Sequence, residues 1–385
     1  MKLYFDDEAF DGQLQRTVGK CDAGMANVGE CFYIASQITP GDRDSWYAAW
    51  SAFADGLVRQ AAGAEQDGHA VSAASLRLRA AEYYRQAFFW HRDDLDGNEL
   101  RTAYRASVAA FRKALPGLPR PGRIVEGDTP GYLFTPPGAG PFPTILHIGG
   151  YDGTAEELYA SVYPALERGW AFAGLDGPGQ GSVLYERRVP QRPDWEQVVP
   201  AMFELVAGLP ELDAKRIVLV GRSFGGVLAP RGAAATPQLA ALIVDPGQYD
   251  MGAGMAARLG KLWQQLDDPA AKPQFDALLQ MPALRTLLAP RMVTHGVADA
   301  QAYLQDMRRY SCAALAPSIQ CPSLVTDNET DPVSTGQGQL LYDAMQCPKA
   351  FRRFTRAEGA EGHCEGMAPI VFWTAAFDWL ETTLR

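Results

Sequence analysis

A serine stands between two glycines where an apolar run gives way to small residues: RIVLV (216–220), then GRSFGG (221–226), then VLAPRGAAA. Gly-x-Ser-x-Gly after a strand suits a backbone bend too tight for side chains, one that lifts the Ser223 hydroxyl clear of a sheet. The bland alternative is a strand-to-helix turn with a capping serine. A serine hydroxyl is a useful nucleophile only when a base removes its proton, so the partners decide between the two readings.

The chain has five histidines. His69 and His91 flank the segment 69–92, where a solvated or capping role is the ordinary one. His147 lies inside TILHI and faces a core, and His295, in THGVADAQ, reads as a structural residue in a turn before a helix. His363 differs: it sits in AEGAEGHCEG, a Gly-rich loop after the last strand-like run. The acid should follow a late strand, and PSLVTDNETDPVS (322–334) offers Asp327, Glu329 and Asp331. Asp331, before Pro332, is the expected orienting acid, which would hold the imidazole tautomer and stabilise the imidazolium. Asp245, closing ALIVD, is its rival.

Acyl chemistry also needs donors for a developing oxyanion. The amide of Phe224, directly after the serine, is one candidate. The other is the amide of Tyr151 in GGYDGTAEE, where Gly149 and Gly150 let backbone approach a ligand. A helix beginning near Thr154 would add its positive end. The Gly-rich DGPGQG (176–181) lacks the Gly-x-Gly-x-x-Gly spacing of a dinucleotide loop and reads as rim of the same pocket.

Something must hold these loops together. Residues 1–118 read as a helical N-terminal cap domain: DSWYAAWSAFADGLVRQAAG, HAVSAASLRLRAAEYYRQAFFWHR and ELRTAYRASVAAFRKAL carry apolar residues at three- and four-residue steps. PGLPRPG (116–122) breaks the pattern. Over 119–385, short β-branched runs alternate with helical segments such as AEELYASVYPALERG (155–169) and WEQVVPAMFELVAGL (195–209), after an opening hairpin. That grammar predicts an α/β fold with a mostly parallel sheet, whose chemistry lies beyond the carboxyl ends of the strands. A helical insertion at about 251–320 is expected to act as a lid.

Of the 385 residues, 47% are apolar and 21% charged, ordinary for a soluble globular protein, and the net charge of −10 argues against a nucleic-acid partner. No apolar run approaches the ~20 residues of a membrane span. The N-terminus carries no secretory pattern and the six scattered cysteines form no CxxC pair, so reduced thiols and a cytoplasmic location are expected. No cofactor or metal motif is present.

Several blocks together resemble the α/β-hydrolases with a helical N-terminal domain, the group that includes 2,6-dihydropseudooxynicotine hydrolase and the fungal polyketide-shortening pigment hydrolases. They are RAAEYYRQAFF, GGYDGTAEE, LDGPGQG, GRSFGG, THGVADAQAYLQDMRRYS, ETDPVS and GAEGHC. The resemblance implies the α/β-hydrolase fold, a triad of Ser223, Asp331 and His363, cleavage of carbon–carbon bonds beside a ketone or of esters, and a cap that covers the pocket and helps form a homodimer. One departure is Glu365, where the family more often carries glutamine.

The expected function is a serine hydrolase acting on a small or medium organic molecule with an activated carbonyl, in secondary metabolism or catabolism. A non-hydrolytic acyltransferase, lyase or cyclase would use the same three residues, and a protein-interaction module with an inert sheet is the reading from another class. Tyr83, Tyr84, Phe88, Phe89 and Trp90 are candidate aromatic contacts from the cap. Gly150, Arg222 and Asp245 are further candidates for substrate contact, Arg222 through an anionic group or else as half of a surface ion pair.

Overall fold

A computed structural model describes residues 2–384 of the chain. Its centre is an eight-stranded sheet: β1 (Gly122–Val125), β2 (Gly131–Phe134), β3 (Phe142–Ile148), β4 (Ala171–Leu175), β5 (Leu212–Arg222), β6 (Ala241–Asp245), β7 (Ser323–Asn328) and β8 (Lys349–Phe354). The spatial order is β1-β2-β4-β3-β5-β6-β7-β8. β1 and β2 form the expected hairpin and β2 pairs antiparallel with β4, while every later pairing is parallel.

The central strands read as continuous apolar runs because both faces of the sheet are covered. On one face Ile145, Phe172, Val218, Ile243 and Leu324 join an apolar core shared with the N-terminal helices. On the other, Leu146, Ala173, Leu219, Leu242 and Val325 pack into a second core. One-residue alternation along each strand thus serves two cores.

The N-terminal region consists of α1 (Glu8–Val18), α2 (Val28–Ala35), α3 (Arg43–Gln66), α4 (Ala70–Phe88) and α5 (Asn98–Ala114). Asp7, Asn27 and Asp42 cap the first three through side-chain oxygens. Buried charges fasten α1 and α4 to the sheet domain. Arg16 donates to Glu157 and to Asp152, and Lys20 bridges Glu82 and Glu157 at 2.7 and 2.6 Å. Removing one partner of such a set leaves an uncompensated charge, at a cost of about 3–5 kcal/mol.

Past the hairpin come α6 (Val162–Leu166), α7 (Gly181–Tyr185), α8 (Val199–Ala207) and α9 (Gly225–Ala234). The regular helix expected from Thr154 does not form. Residues Glu157–Ser161 make a 3₁₀ turn and only five residues of α-helix follow. Pro164, inside that stretch, has no amide to give the preceding turn. A short 3₁₀ turn thus stands where the helix start was expected. Pro200 occupies the first turn of α8, where an amide would be unpaired anyway.

Between β6 and β7 the insertion folds into α10 (Met251–Leu259), α11 (Lys272–Asp276), α12 (Pro282–His295) and α13 (Ala300–Met307). Its Leu266, Phe275, Leu288, Tyr303 and Met307 belong to the second core. α14 (Gln337–Ala344) and α15 (Pro369–Thr383) complete the chain.

Candidate active site

Ser223 follows β5 immediately, and its φ of 57° puts a non-glycine residue in the left-handed region, the strained bend foreseen from the motif. Its own amide donates to the Asp245 carbonyl at 2.8 Å, which ties the bend to β6. Gly221 is required by space, since a Cβ there would fall 2.2 Å from the Gly225 carbonyl oxygen, and Gly225 is tightly hemmed, a Cβ there standing 3.0 Å from the carbonyl oxygens of Ile148 and Gly149.

His363 arrives from the loop after β8 and Asp331 from the loop after β7. His363 Nε2 lies 2.8 Å from Ser223 Oγ, and Nδ1 lies 2.9 Å from Asp331 Oδ2. The second Asp331 oxygen accepts from the Val333 amide at 2.7 Å. Burial opposes ionisation of Asp331, but the His363 contact and backbone amides outweigh it and lower its pKa. Burial likewise opposes a charged His363, yet the neighbouring Cys364 sulfur and the Asp331 carboxylate raise its pKa well above the ordinary histidine value. The arrangement can move the serine proton onto an imidazole anchored by a carboxylate.

Gly150 faces the nucleophile. A Cβ on it would stand 2.8 Å from Ser223 Oγ and 2.9 Å from the Phe224 nitrogen. Neither the Phe224 nor the Tyr151 amide donates to a protein acceptor among the described residues. The two rings stack with centroids 4.0 Å apart. Gln180, from the DGPGQG loop, donates to the Gly149 carbonyl at 2.7 Å and accepts from the Gly177 amide, so the predicted rim loop braces the 149–154 loop.

Arg222 does not reach an external anion. It is largely buried, donates through Nε to Asp245 Oδ2 at 2.7 Å and through Nη2 to the Cys364 carbonyl, and lies over the Phe372 ring. Neither is it half of a surface pair: it clamps the histidine loop to β6. Asp245 is spent on Arg222 and on the Thr326 hydroxyl, has no bond to His363, and drops out both as the rival acid and as a substrate contact. Glu365, beside it, is buried and accepts from Asn328 at 3.0 Å. Burial and the Asp245 charge push its pKa up to about 9 against the attraction of Arg222, so it is a neutral acid at pH 7.

The cap aromatics need correction too. Tyr83 is fully buried in the cap's own core against Trp50 and Phe53, with its hydroxyl donating to Glu30. Tyr84 donates to Asp55 on α3. Neither faces Ser223. Trp90 lines a cleft between the N-terminal helices and the insertion, with Phe10, Arg43, Asp93, Arg285 and Pro290. His91 is buried, not solvated.

Two residues of the THGVADAQAYLQDMRRYS block, neither assigned a part in the site from sequence, bear on it. The Tyr151 hydroxyl lies 2.7 Å from His295 Nε2, and His295 Nδ1 lies 2.6 Å from Asp306 Oδ2. His295 ends α12, with Gly296 left-handed behind it, instead of lying in a turn. No cluster of metal-ligating side chains occurs among the described residues, and no helix among them is long and apolar enough to cross a membrane.

A strand-to-helix serine bend, an acid and a histidine after later strands, and an eight-stranded mostly parallel sheet define an α/β-hydrolase. The family described as Esterase FrsA-like matches residues 40–350, and the chain belongs to that family of hydrolases. Hydrolase acrC of Aspergillus aculeatus is 28% identical over 99% of this chain and 98% of its own length. The 20-hydroxy-prefusarin hydrolase FUS2 of Gibberella moniliformis is 34% identical over 65% of this chain, and the match spans 63% of FUS2. The crystal structure of 2,6-dihydroxy-pseudo-oxynicotine hydrolase shares the fold, with a TM-score of 0.72 and 22% identity over 94% of each chain.

Proposed function

We propose that the protein is a serine hydrolase in which Ser223 attacks an activated carbonyl, His363 serves as base and then acid, and Asp331 orients the imidazole. The observation that carries this reading is the continuous hydrogen-bonded line from Ser223 Oγ through His363 to Asp331. In the first half, His363 takes the serine proton as Oγ bonds to the carbonyl carbon, and the amides of Phe224 and Tyr151 receive the negative oxygen. The bond to the leaving group breaks, and His363 delivers the proton to an alkoxide or an enolate carbon. Water, deprotonated by the same histidine, then releases the acid and restores Ser223.

The substrate class is a small or medium organic molecule bearing an ester or a carbon–carbon bond beside a ketone, in secondary metabolism. The FUS2 relative, named for hydrolysis of a single compound, 20-hydroxy-prefusarin, supports that class. The cap and insertion would select it. The proposed division of the chain falls after residue 118, in the stretch between the end of α5 at Ala114 and the start of β1 at Gly122.

A fluorophosphonate should label Ser223 of the folded protein. Turnover in ¹⁸O-water of a substrate found by screening aryl esters against β-diketones should put the label in the product acid. Ser223→Ala should lower kcat by several powers of ten. Near-native turnover by that variant would overturn the mechanism, and unlabelled acid would turn the reading to acyl transfer or cyclisation.

A further inference from the structure

The loop 149–154 has no regular structure and contains glycines at 149, 150 and 153, so its backbone has more freedom to lose than most. A set of oxyanion donors works only when held in place before the reaction. Gln180 grips the carbonyl side of this loop at Gly149 and Gly150. Arg16 of α1 holds the loop at Asp152, and the grip on the Tyr151 side chain itself comes from the elbow and the insertion.

The Tyr151 ring stacks on Phe224, and the Arg291 guanidinium carbon lies 5.1 Å from its centroid. With Phe224 at 4.0 Å occupying one face, Arg291 takes the other. The Tyr151 hydroxyl reaches His295 on α12, which reaches Asp306 on α13; Asp306 also accepts from Arg309 at 2.8 Å. The His295 side chain has no solvent exposure and sits in a cage of Tyr303, Tyr310, Phe224 and Tyr151 rings. An apolar ring would fill such a cage at no desolvation cost, so the polar line of hydroxyl, imidazole and carboxylate calls for a role that packing alone does not give it. Burial lowers the His295 pKa, which keeps the ring neutral. Nδ1–H then donates to Asp306, and Nε2 can accept from the Tyr151 hydroxyl, which also lies 3.1 Å from Met307 Sδ.

We propose that His295, fixed by Asp306, is a positioning residue that holds the Tyr151 amide in the oxyanion site, so that the helical insertion sets the rate of the chemical step. This rests on the reading of Ser223 as nucleophile and Tyr151 N–H as oxyanion donor. It concerns neither the proton relay through His363 nor substrate contact by the insertion.

The test uses the full chain, p-nitrophenyl butyrate and the matching thionoester, whose sulfur is a poor hydrogen-bond acceptor and gains little from the oxyanion donors. Tyr151→Phe keeps the ring stack and deletes only the hydroxyl. It should lower kcat for the oxygen ester about tenfold or more with KM within threefold, and lower the thionoester rate less. His295→Ala should behave alike, His295→Gln should recover part of the loss through its amide, and Tyr151→Phe combined with His295→Ala should be no worse than His295→Ala alone. A Tyr151→Phe enzyme with native kcat, or one whose oxygen-to-sulfur rate ratio is unchanged, would overturn the proposal. So would additive losses in the double variant. Fluorophosphonate labelling of the wild type separates the two levels: an unlabelled Ser223 sinks the underlying reading, whereas a labelled one with an unchanged ratio sinks only the positioning role.

Discussion

Gly150 lies so close to Ser223 that a single added methyl group would stand 2.8 Å from the serine oxygen and 2.9 Å from the Phe224 nitrogen. The second is the separation an oxyanion takes from its donor. Under the proposed mechanism the substrate oxygen would approach the Phe224 amide past Gly150, and a side chain there would stand in its way. Gly150→Ala should force the elbow and the 149–154 loop apart, since the added carbon would also stand 2.7 Å from Ser223 Cβ. It should cut kcat/KM by about two to three powers of ten, the range seen when one oxyanion donor is lost. Steady-state kinetics beside a thermal melt would check this; a native rate would mean that the oxyanion sits elsewhere.

Much of this site was legible before any coordinates. The strands stand out because both faces of each are buried, which forces continuous β-branched runs. Ser223 stands out because only glycine fits at 221 and a side chain at 225 would be tightly hemmed. His363 could be reached by elimination among five histidines, since the other four fell on helices, in a core strand or in the insertion. What was not legible depends on neighbours that sequence order hides. Arg222 and Asp245 look like unrelated charges until β5 and β6 pair with those two residues in register. Tyr151 and His295 are 144 positions apart, and nothing local in THGVADAQ distinguishes a strut from a turn. Tyr83 and Tyr84 obey helical spacing, but that spacing describes a face without saying which core it meets, and theirs is the cap's own.

The acid limb of the pH–rate profile follows from the state of His363. The base must be unprotonated to accept the Ser223 proton, and its surroundings raise its pKa well above the ordinary value of 6.5. kcat/KM should therefore climb with pH along a limb displaced upward from the ordinary histidine value. The Asp331 carboxylate is among the groups that hold the proton on, so Asp331→Asn should move the limb to lower pH as well as lower the plateau. A profile of kcat/KM from pH 5 to 10 for both enzymes measures this. A wild-type limb at or below 6.5 would contradict it.

Glu365 makes stability itself depend on pH, in a direction opposite to the usual carboxylate. Its pKa is pushed from 4.5 up to about 9 in the fold by burial and by Asp245. Between those two values the unfolded chain releases the proton and the folded chain keeps it, so ΔG of unfolding falls as pH rises through the window. The contribution is fully present below pH 4.5 and lost by about 9. The slope has an upper bound of about 1.4 kcal/mol per pH unit. Glutamine has the shape of the protonated acid: its oxygen can accept from Asn328 and its amide can donate to Asp245, with no proton to lose. Glu365→Gln should match the wild type near pH 5 and melt at progressively higher temperature than it toward pH 9. Because Asn328, Asp245 and Arg222 also position the His363 loop, the variant should keep kcat near native while its stability advantage grows with pH. Melting curves for the two proteins that stay parallel from pH 5 to 9 would mean that Glu365 is ionised in the folded protein, and that Arg222 outweighs both its burial and its acidic neighbour.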